Sequence, residues 1–360
     1  FNMGLGLFAR RTIKNGVKTQ ESSGGVTGAG VIGATFQMEP TLPIYDAEGN
    51  YAISWLGQPN DNPVALANEL VNEPVDDRLQ VNLFGEYALL PDLKFKATLG
   101  ANINNGRNGN YTPTTLNGGK QTGGDGRVSG SKYTGLISEN YLTFTKDFGN
   151  HDISAMGGYS YQFTESTSWS GHGQMFITDA FDYWALGQSS VWLAPGSGIT
   201  TTELTSIYSR VNYKLLDRYM ITVNARYDGS SRFAKNNKWA FFPSGAIAWN
   251  IAEESFFDDF KTVSQLKLRA SYGVTGNQAI GPYQSLAKMR TVHSVQNSSV
   301  VNAVRPNAVA NDNLTWESTE QTNIGIDLGL FEQRIYLNAD YYYMKTTDLL
   351  FGMPLPEYSG

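Results

Sequence analysis

The fold of this chain is decided by a nine-residue stretch, YMITVNARY, which runs from Tyr219 to Tyr227. Every second residue of the stretch is apolar or aromatic, and polar side chains such as Asn224 and Arg226 stand between them. Successive side chains of a β-strand point to opposite faces of the sheet. The stretch therefore predicts a strand with one apolar face and one polar face.

The same alternation recurs along the rest of the chain. It is found again in residues 79–89, 153–163, 207–213, 266–272, 324–330 and 335–343. The composition agrees with this pattern, since the 360 residues include 20 Tyr, 18 Phe, 7 Trp and 38 Gly, which favour strands and turns. We therefore expect an all-β protein.

The connections between the predicted strands alternate in length. Short ones lie at 90–93, 146–152, 216–218 and 331–334, with a somewhat longer one at 252–263, and long ones lie at 14–78, 104–134, 165–203, 228–238 and 276–315. Outer-membrane barrels have short periplasmic turns and long extracellular loops. With residues 1–13 as the first strand, the pattern predicts about eleven strands of an antiparallel, up-and-down transmembrane β-barrel. Because an open sheet of that size curls or splits, we expect part of a larger closed barrel.

Aromatic spacing gives a separate indication of contact with lipid. Trp239 and Trp249 share a face ten residues apart, which places them about 25 Å apart along a barrel axis. Tyr219 and Tyr227 give about 20 Å by the same geometry. These separations match an apolar band between two aromatic girdles. The alternative is that the aromatic residues fill the core of a soluble β-sandwich.

Charge and cysteine content exclude other classes of protein. The net charge is -6, with 27 Lys and Arg against 33 Asp and Glu, which argues against nucleic-acid binding. The absence of cysteine excludes disulfides and thiolate metal sites. No apolar run of membrane-helix length and no signal peptide are visible, but a transmembrane strand needs only about 9–11 residues.

No motif indicates catalysis, a cofactor or a metal. Gly28, Gly30 and Gly33 match G-x-G-x-x-G, but we expect neither a buried strand before them nor a helix after them, so they are predicted to lie in a flexible loop. The three histidines are not at metal-ligand spacing. The carboxylates at 253, 254, 258 and 259 are predicted to form a solvated surface patch in a periplasmic turn.

Two sets of residues are candidates for contact with a ligand. Aromatic rings among Gly, Ser and Thr suit sugars or peptides, and such a group is predicted in an extracellular loop, although it can equally pack on a plug or a partner protein. Its members are Trp169, Phe181, Tyr183, Trp184 and Trp192. The polar face of the strands is predicted to line the barrel lumen, and its representatives are Asn224, Arg226, Lys267, Arg269, Asn323 and Asp327.

From residue 206 onward the sequence resembles the SusC/RagA family of TonB-dependent outer-membrane transporters. The resemblance is carried by YSRVNY at 208–213, RYDGSSRF at 226–233, FPS at 242–244, LKLRASYGVTGNQ at 266–278, NLTWE at 313–317, NIGID at 323–327 and TTDLL at 346–350. These blocks are ordered and correctly spaced over about 140 residues. Upstream, PIYDAEGNY at 43–51 shows a weaker resemblance to the long outer loop of the same family.

This resemblance implies a function and partners. Members of the family are 22-stranded barrels with an N-terminal plug, and they import oligosaccharides or peptides, chiefly in Bacteroidetes. The resemblance implies a bacterial outer-membrane location, lipid around the barrel, a SusD-like surface lipoprotein as a lid and TonB acting through the plug. We expect residues 1–360 to be one partial barrel domain, without the plug and the final closing strands. The alternative is a receptor or adhesin barrel that binds a partner through its long loops without transport.

Overall fold

The computed structural model describes residues 1–14, 16, 30–54, 60–257, 260, 262–296 and 299–353. Strands dominate this part of the chain. They are β1 (Asn2–Ile13), β2 (Val71–Leu90), β3 (Leu93–Thr112), β4 (Asp125–Asp147), β5 (His151–Gln174), β6 (Val191–Leu215), β7 (Tyr219–Ser230), β8 (Trp239–Asn250), β9 (Val263–Asn277), β10 (Lys288–Gln296), β11 (Ser299–Ala308), β12 (Glu317–Leu330) and β13 (Ile335–Thr347).

Short helices occupy the connections. They are α1 (Gly30–Gln37), α2 (Pro63–Glu69) and α3 (Asn117–Thr122), with 3-10 turns at Asp182–Gln188, Ile251–Glu253 and Ser255–Phe257. Helix α1 contradicts the expectation that no helix follows the glycine triplet, although Gly28 itself lies outside the described residues. None of the described helices has both the length and the apolar character needed to cross a membrane.

Eleven of the described strands form one antiparallel sheet in the order β1-β2-β3-β4-β5-β6-β7-β8-β9-β12-β13. From β1 to β9, each strand pairs with the next one along the chain. Strands β10 and β11 form a separate hairpin, so the next partner of β9 in the main sheet is β12. The predicted all-β, up-and-down antiparallel architecture with eleven strands is confirmed. The hairpin within the predicted 276–315 loop is an element that the sequence pattern did not indicate.

Several predicted loop boundaries were wrong, because the strands continue well past the alternating segments. Strands β3 and β4 cover most of the predicted 104–134 loop, and β5 and β6 cover much of 165–203. Strand β2 likewise begins at Val71, inside the predicted 14–78 loop. In the extensions of β3 to β6 both faces carry mostly Gly, Ser, Thr and Asn, so the apolar period disappears while the backbone hydrogen bonding continues.

The register assigns the apolar and polar residues to opposite faces. Val223 is opposite Val211 on β6 and Gly245 on β8, whereas Asn224 is opposite Arg210 and Ser244. The first row belongs to the face that holds the exposed apolar side chains of neighbouring strands, which we call the apolar face. It includes Leu79, Leu83, Leu99, Ile207, Val223, Ile247, Leu268 and Ile324. The opposite face is the polar face.

Two aromatic pairs stand on the apolar face at different heights. Tyr227 stacks on Trp239 with ring centroids 4.9 Å apart, and Tyr219 stacks on Trp249 at 6.3 Å. Tyr and Trp combine an apolar ring with a polar edge, which suits the boundary between hydrocarbon and water. The arrangement is that of two aromatic girdles with Ile221, Val223 and Ile247 between them.

A small packed cluster lies at the loop end of the polar face. Phe233, Phe242 and Trp316 are all at least nine-tenths buried and contact one another at centroid distances of 4.9 and 5.4 Å. Trp316 also donates its indole N–H to the carbonyl of Lys238. The cluster packs β8 against the loop that precedes β8 and the loop that precedes β12. It therefore stabilises the loop end of the sheet.

Candidate functional site

The structure places all six predicted lumen residues on one face. The registers of β6 to β13 put them in rows with other polar residues, and the six are Asn224, Arg226, Lys267, Arg269, Asn323 and Asp327. This is the polar face, opposite the two aromatic girdles. That it lines a lumen stays a prediction.

Arg226 is held by an ion pair with Asp228, two residues along the same strand. Its Nε lies 2.8 Å from both carboxylate oxygens of Asp228, and its Nη2 donates to Ser206 Oγ at 2.8 Å. Asp228 is only 7% exposed and Ser206 is fully buried. A buried carboxylate needs such charge-assisted bonds, so Arg226 and Asp228 fix each other and cancel in charge.

Arg269 lies at the centre of a second network, shared by three strands. Its Nε and Nη2 donate to the two oxygens of Asp327 at 3.0 and 2.9 Å, and Nη1 lies 3.1 Å from Asp340 Oδ1. Asn338 adds a bond of 2.6 Å to Asp327, whose side chain is 9% exposed. The network ties β9, β12 and β13 together on the polar face.

Lys267 and Asn323 flank this network without joining it. Within the described ranges, neither side chain has a hydrogen bond or ion pair, and both are half-buried. Three of the six residues, Arg226, Arg269 and Asp327, therefore belong to neutralised arginine networks, and Lys267 and Asn323 have no partner in the described ranges. Asn224 contacts Arg210 and Ser244 instead.

Asn224 and Arg226 line a pocket of about 650 Å³ on the polar face. Strands β4 and β6 contribute Glu139, Tyr141, Tyr208 and Arg210 to the same pocket, and Phe242, Ser244 and Thr275 contribute to its far wall. Arg210 Nε donates to Asn224 Oδ1 at 2.6 Å, and Asn224 Nδ2 donates to Ser244 Oγ at 3.0 Å. Asn224 therefore orients Arg210, and the pocket offers charge, amide, hydroxyl and aromatic groups together.

Sequence reasoning missed the four residues Glu139, Tyr141, Tyr208 and Arg210. The signal for two of them was present, because Tyr208 and Arg210 alternate with the apolar Ile207 and Val211 and so had to share a face with Asn224. Glu139 and Tyr141 were hidden because their neighbours Ser138 and Asn140 on the other face are also polar, so no apolar–polar alternation marks this part of β4. Only the register connects them to the pocket.

The five predicted loop aromatics are divided between two strands and the connection that joins them. Trp169 lies on β5 and Trp192 on β6, so their placement in a loop was wrong. The register pairs Trp169 with Gly130 and Ser197, on the same face as Tyr161 and the aromatic girdles. Trp192 pairs with Gly173 on that face as well. Neither residue lines the 650 Å³ pocket.

The other three aromatics belong to the connection between β5 and β6. Tyr183 is 1% exposed, rests against Gly109 and donates its hydroxyl to Glu73, so it anchors the connection. Trp184 stacks on Arg107 at 4.6 Å and is 69% exposed, and Phe181 is 54% exposed. A ligand contact by Phe181, Trp184, Trp169 or Trp192 stays a prediction, but burial leaves Tyr183 no free surface for one.

Glu254 contradicts the predicted solvated carboxylate patch. It is 8% exposed and accepts bonds from Tyr219 Oη at 2.6 Å, Trp249 Nε1 at 3.1 Å and Arg218 Nη1 at 3.1 Å. The bond from Tyr219, followed by those from Trp249 and Arg218, holds the pKa of Glu254 below its ordinary value. Glu254 therefore links the aromatic pair Tyr219 and Trp249 to the turn between β8 and β9. Asp258 and Asp259 lie outside the described residues.

The described ranges contain no group of three or more His, Asp or Glu side chains that could hold a metal ion. The polar groups that converge in the pocket are suited to binding a polar solute by hydrogen bonds and charge. No nucleophile with an adjacent base stands among them.

Comparisons with known proteins agree with this geometry. A family model described as TonB dependent receptor-like, beta-barrel matches residues 27–360. TonB-dependent receptor P3 of Formosa agariphila is 45% identical over 360 residues, which is 100% of this chain and 36% of that protein. TonB-dependent receptor SusC of Bacteroides thetaiotaomicron is 32% identical over 92% of this chain and 35% of its own length. The chain thus spans about a third of these relatives.

Solved structures give the same result for the fold. The structure of the RagAB peptide transporter matches with a TM-score of 0.77 and 25% identity, over 88% of this chain and 35% of that one. The RagAB peptide importer in its open-open state matches with a TM-score of 0.80 and 24% identity, over 99% of this chain and 39% of that one. The second match, because of its low identity, supports the fold alone.

Proposed function

This chain belongs to the TonB dependent receptor-like β-barrel family, and from that premise we propose that it forms part of the barrel wall of an outer-membrane importer of a bulky nutrient. The resemblance to SusC/RagA transporters found in the sequence is confirmed by the matches to SusC and RagAB. The proposed location is the outer membrane of a Bacteroidetes bacterium, since both named relatives come from Formosa and Bacteroides.

The observation that carries this proposal is the division of the sheet into two chemically different faces. Exposed Leu, Ile and Val side chains stand between two aromatic girdles on one face, and charged networks and a solute-sized pocket stand on the other. An exposed apolar band of this kind needs lipid around it. The polar face then lines the route for the solute.

The proposed partners follow from the same family. We propose that TonB energises the importer through a plug that packs against the polar face, and that a SusD-like surface lipoprotein closes the mouth. The substrate is an oligosaccharide or a peptide, for which a pocket of about 650 Å³ lies in the usual range for small ligands.

Uptake by whole cells tests the proposal. A strain that carries the full-length receptor takes up labelled oligosaccharides or peptides, and the uptake is lost when TonB is deleted. Binding at the cell surface that needs no TonB and leads to no accumulation would support the adhesin instead.

A matched pair of variants tests the role of the polar face. Ser244→Trp fills the pocket and should abolish uptake, because Ser244 lines it. Gly245→Trp places the same ring on the apolar face, where a Cβ meets nothing closer than 3.7 Å, and uptake should persist. Equal loss in both variants, with equal amounts of folded receptor, would contradict a solute route along the polar face.

A further inference from the structure

Arg210 differs from the other arginines near the pocket because it has no carboxylate partner. Arg226 is paired with Asp228, and Arg269 with Asp327 and Asp340. Arg210 makes a single side-chain bond, through Nε to Asn224, and its two terminal nitrogens have no partner within the described ranges. The fork of an arginine matches a carboxylate in a bidentate geometry, so its open end is complementary to one.

Glu139 presents the opposite charge at the other end of the same pocket. It is half-buried, and no hydrogen bond or ion pair to its side chain is formed by any described residue. The neighbouring cation on the polar face, Lys96, is directed over the ring of Phe84 at 5.1 Å. An unpaired carboxylate beside the protein surface, where the effective dielectric constant is lower than in bulk water, is complementary to an ammonium group.

The register sets the distance between these two charges. Glu139 lies in the row of Ser160 and Ser206, and Arg210 lies four residues farther along β6. Four residues along a strand span about 13 Å and two strand spacings about 10 Å, which gives about 16 Å between the two Cα atoms. Both residues line the same pocket, so a single solute there can contact both of them.

The wall between the two charges is aromatic and carries no net charge. Tyr141 and Tyr208 line it on either side of Gly158, where an added Cβ would lie 2.7 Å from Tyr141 and 2.8 Å from Tyr208. The Arg226 guanidinium lies 5.7 Å from the centroid of the Tyr208 ring, and Asp228 cancels its charge. An extended chain with an apolar body fits such a surface.

Given the importer proposed above, on which this inference rests, we propose that the pocket binds unblocked oligopeptides of about three to four residues, with the terminal ammonium at Glu139 and the terminal carboxylate at Arg210. An extended peptide of that length spans about 10–14 Å. A neutral sugar chain leaves both charges uncompensated, and a purely anionic one is repelled by Glu139. A zwitterionic chain satisfies both ends.

Binding to the purified full-length receptor, measured by calorimetry, tests this inference. The probes are tetra-alanine, N-acetyl-tetra-alanine, tetra-alanine amide and a neutral glucose tetrasaccharide. The wild-type receptor should bind free tetra-alanine about 10- to 100-fold more tightly than either blocked peptide, because each block removes one charge-assisted contact. Arg210→Gln should bind the free acid and the amide alike, and Glu139→Gln should bind the free and N-acetylated peptides alike.

Two control variants make the same changes of charge on the apolar face. Lys132 and Glu165 have no hydrogen bond or ion pair within the described ranges, and their register places them away from the pocket. Lys132→Gln and Glu165→Gln should keep the full preference for free tetra-alanine. Crossed loss of preference in the two pocket variants, with both controls unchanged, supports the assignment of one terminus to each residue.

The opposite outcomes are equally distinct. Equal binding of free and blocked peptides by the wild type, stronger binding of the tetrasaccharide or no binding of any peptide overturns the inference. If TonB-dependent uptake of the tetrasaccharide is then observed, the importer proposal stands without the peptide pocket. If no solute of either class is taken up, the proposed function itself fails.

Discussion

Placing an arginine at Val223 is the sharpest test of which face meets lipid. Val223 lies four residues from both Tyr219 and Tyr227, and it is 53% exposed on the apolar face. Four residues of a strand tilted by about 40° rise about 10 Å, so Val223 lies midway between the two aromatic girdles. At that depth an arginine on the lipid face costs about 2–4 kcal/mol.

The matched control is Thr222→Arg, at the same depth on the polar face. Thr222 donates to Asn212 Oδ1 at 2.9 Å, so this change removes one hydrogen bond, which costs about 0.5–1.5 kcal/mol. The difference between the two variants should therefore be about 2 kcal/mol, or a factor of about 30 in the folding equilibrium.

The assay is a urea titration of the full-length receptor in phosphatidylcholine vesicles, followed by tryptophan fluorescence and by the migration of unheated samples on gels. Val223→Arg should lower the free energy of unfolding by more than Thr222→Arg does. If the two variants lose the same stability, or if Thr222→Arg loses more, the assignment of the apolar face to lipid is refuted.

Three further predictions concern the polar networks and the loop anchor. Asp327→Asn leaves Arg269 without its bidentate partner and should lower the free energy of unfolding by about 1.5–3 kcal/mol in urea titrations, whereas no change would show that the network adds nothing to stability. Glu254→Gln should lower the melting temperature at pH 7, and the difference from wild type should vanish on acidification. A carboxylate whose pKa is lowered by folding stabilises the protein above the pKa of the unfolded state. That stability is lost as the pH falls through the pKa of the folded state. A difference that instead persists below pH 3 would contradict this cause. Gly109→Leu places a side chain where the ring of Tyr183 lies and should expose residues 175–190 to limited proteolysis, while unchanged protection would show that Tyr183 does not anchor the connection.

The site divides into a part that alternation predicted and a part that it did not. Asn224, Arg226, Lys267, Arg269, Asn323 and Asp327 were assigned to one face from period-two spacing, and the register puts them there. Glu139 and Tyr141 were not found, because the connection from strand to strand depends on hydrogen-bond register, which side-chain polarity does not encode where both faces are polar.

Glu254 is a second residue whose environment the sequence did not predict. Four carboxylates close together in a turn resemble a solvated patch, and charged residues are mostly exposed. Only the approach of Arg218, Tyr219 and Trp249 turns Glu254 into a buried acceptor. Arg218 and Tyr219 lie 36 and 35 residues before Glu254 in the sequence, so no local pattern indicates them.

The alternation of side chains is enough to predict a two-faced antiparallel sheet with aromatic girdles, because a strand separates its odd and even residues whatever surrounds it. The sequence also identified the family, through blocks of residues such as those at 226–233 and 266–278. The folded sheet is needed to show how far the strands extend, that Trp169 and Trp192 stand on the apolar face, and that Arg210 and Glu139 are opposite charges in one pocket. Each of these depends on the hydrogen-bond pairing between neighbouring strands, and a shift of one residue in register would move Trp169, Arg210 or Glu139 to the opposite face.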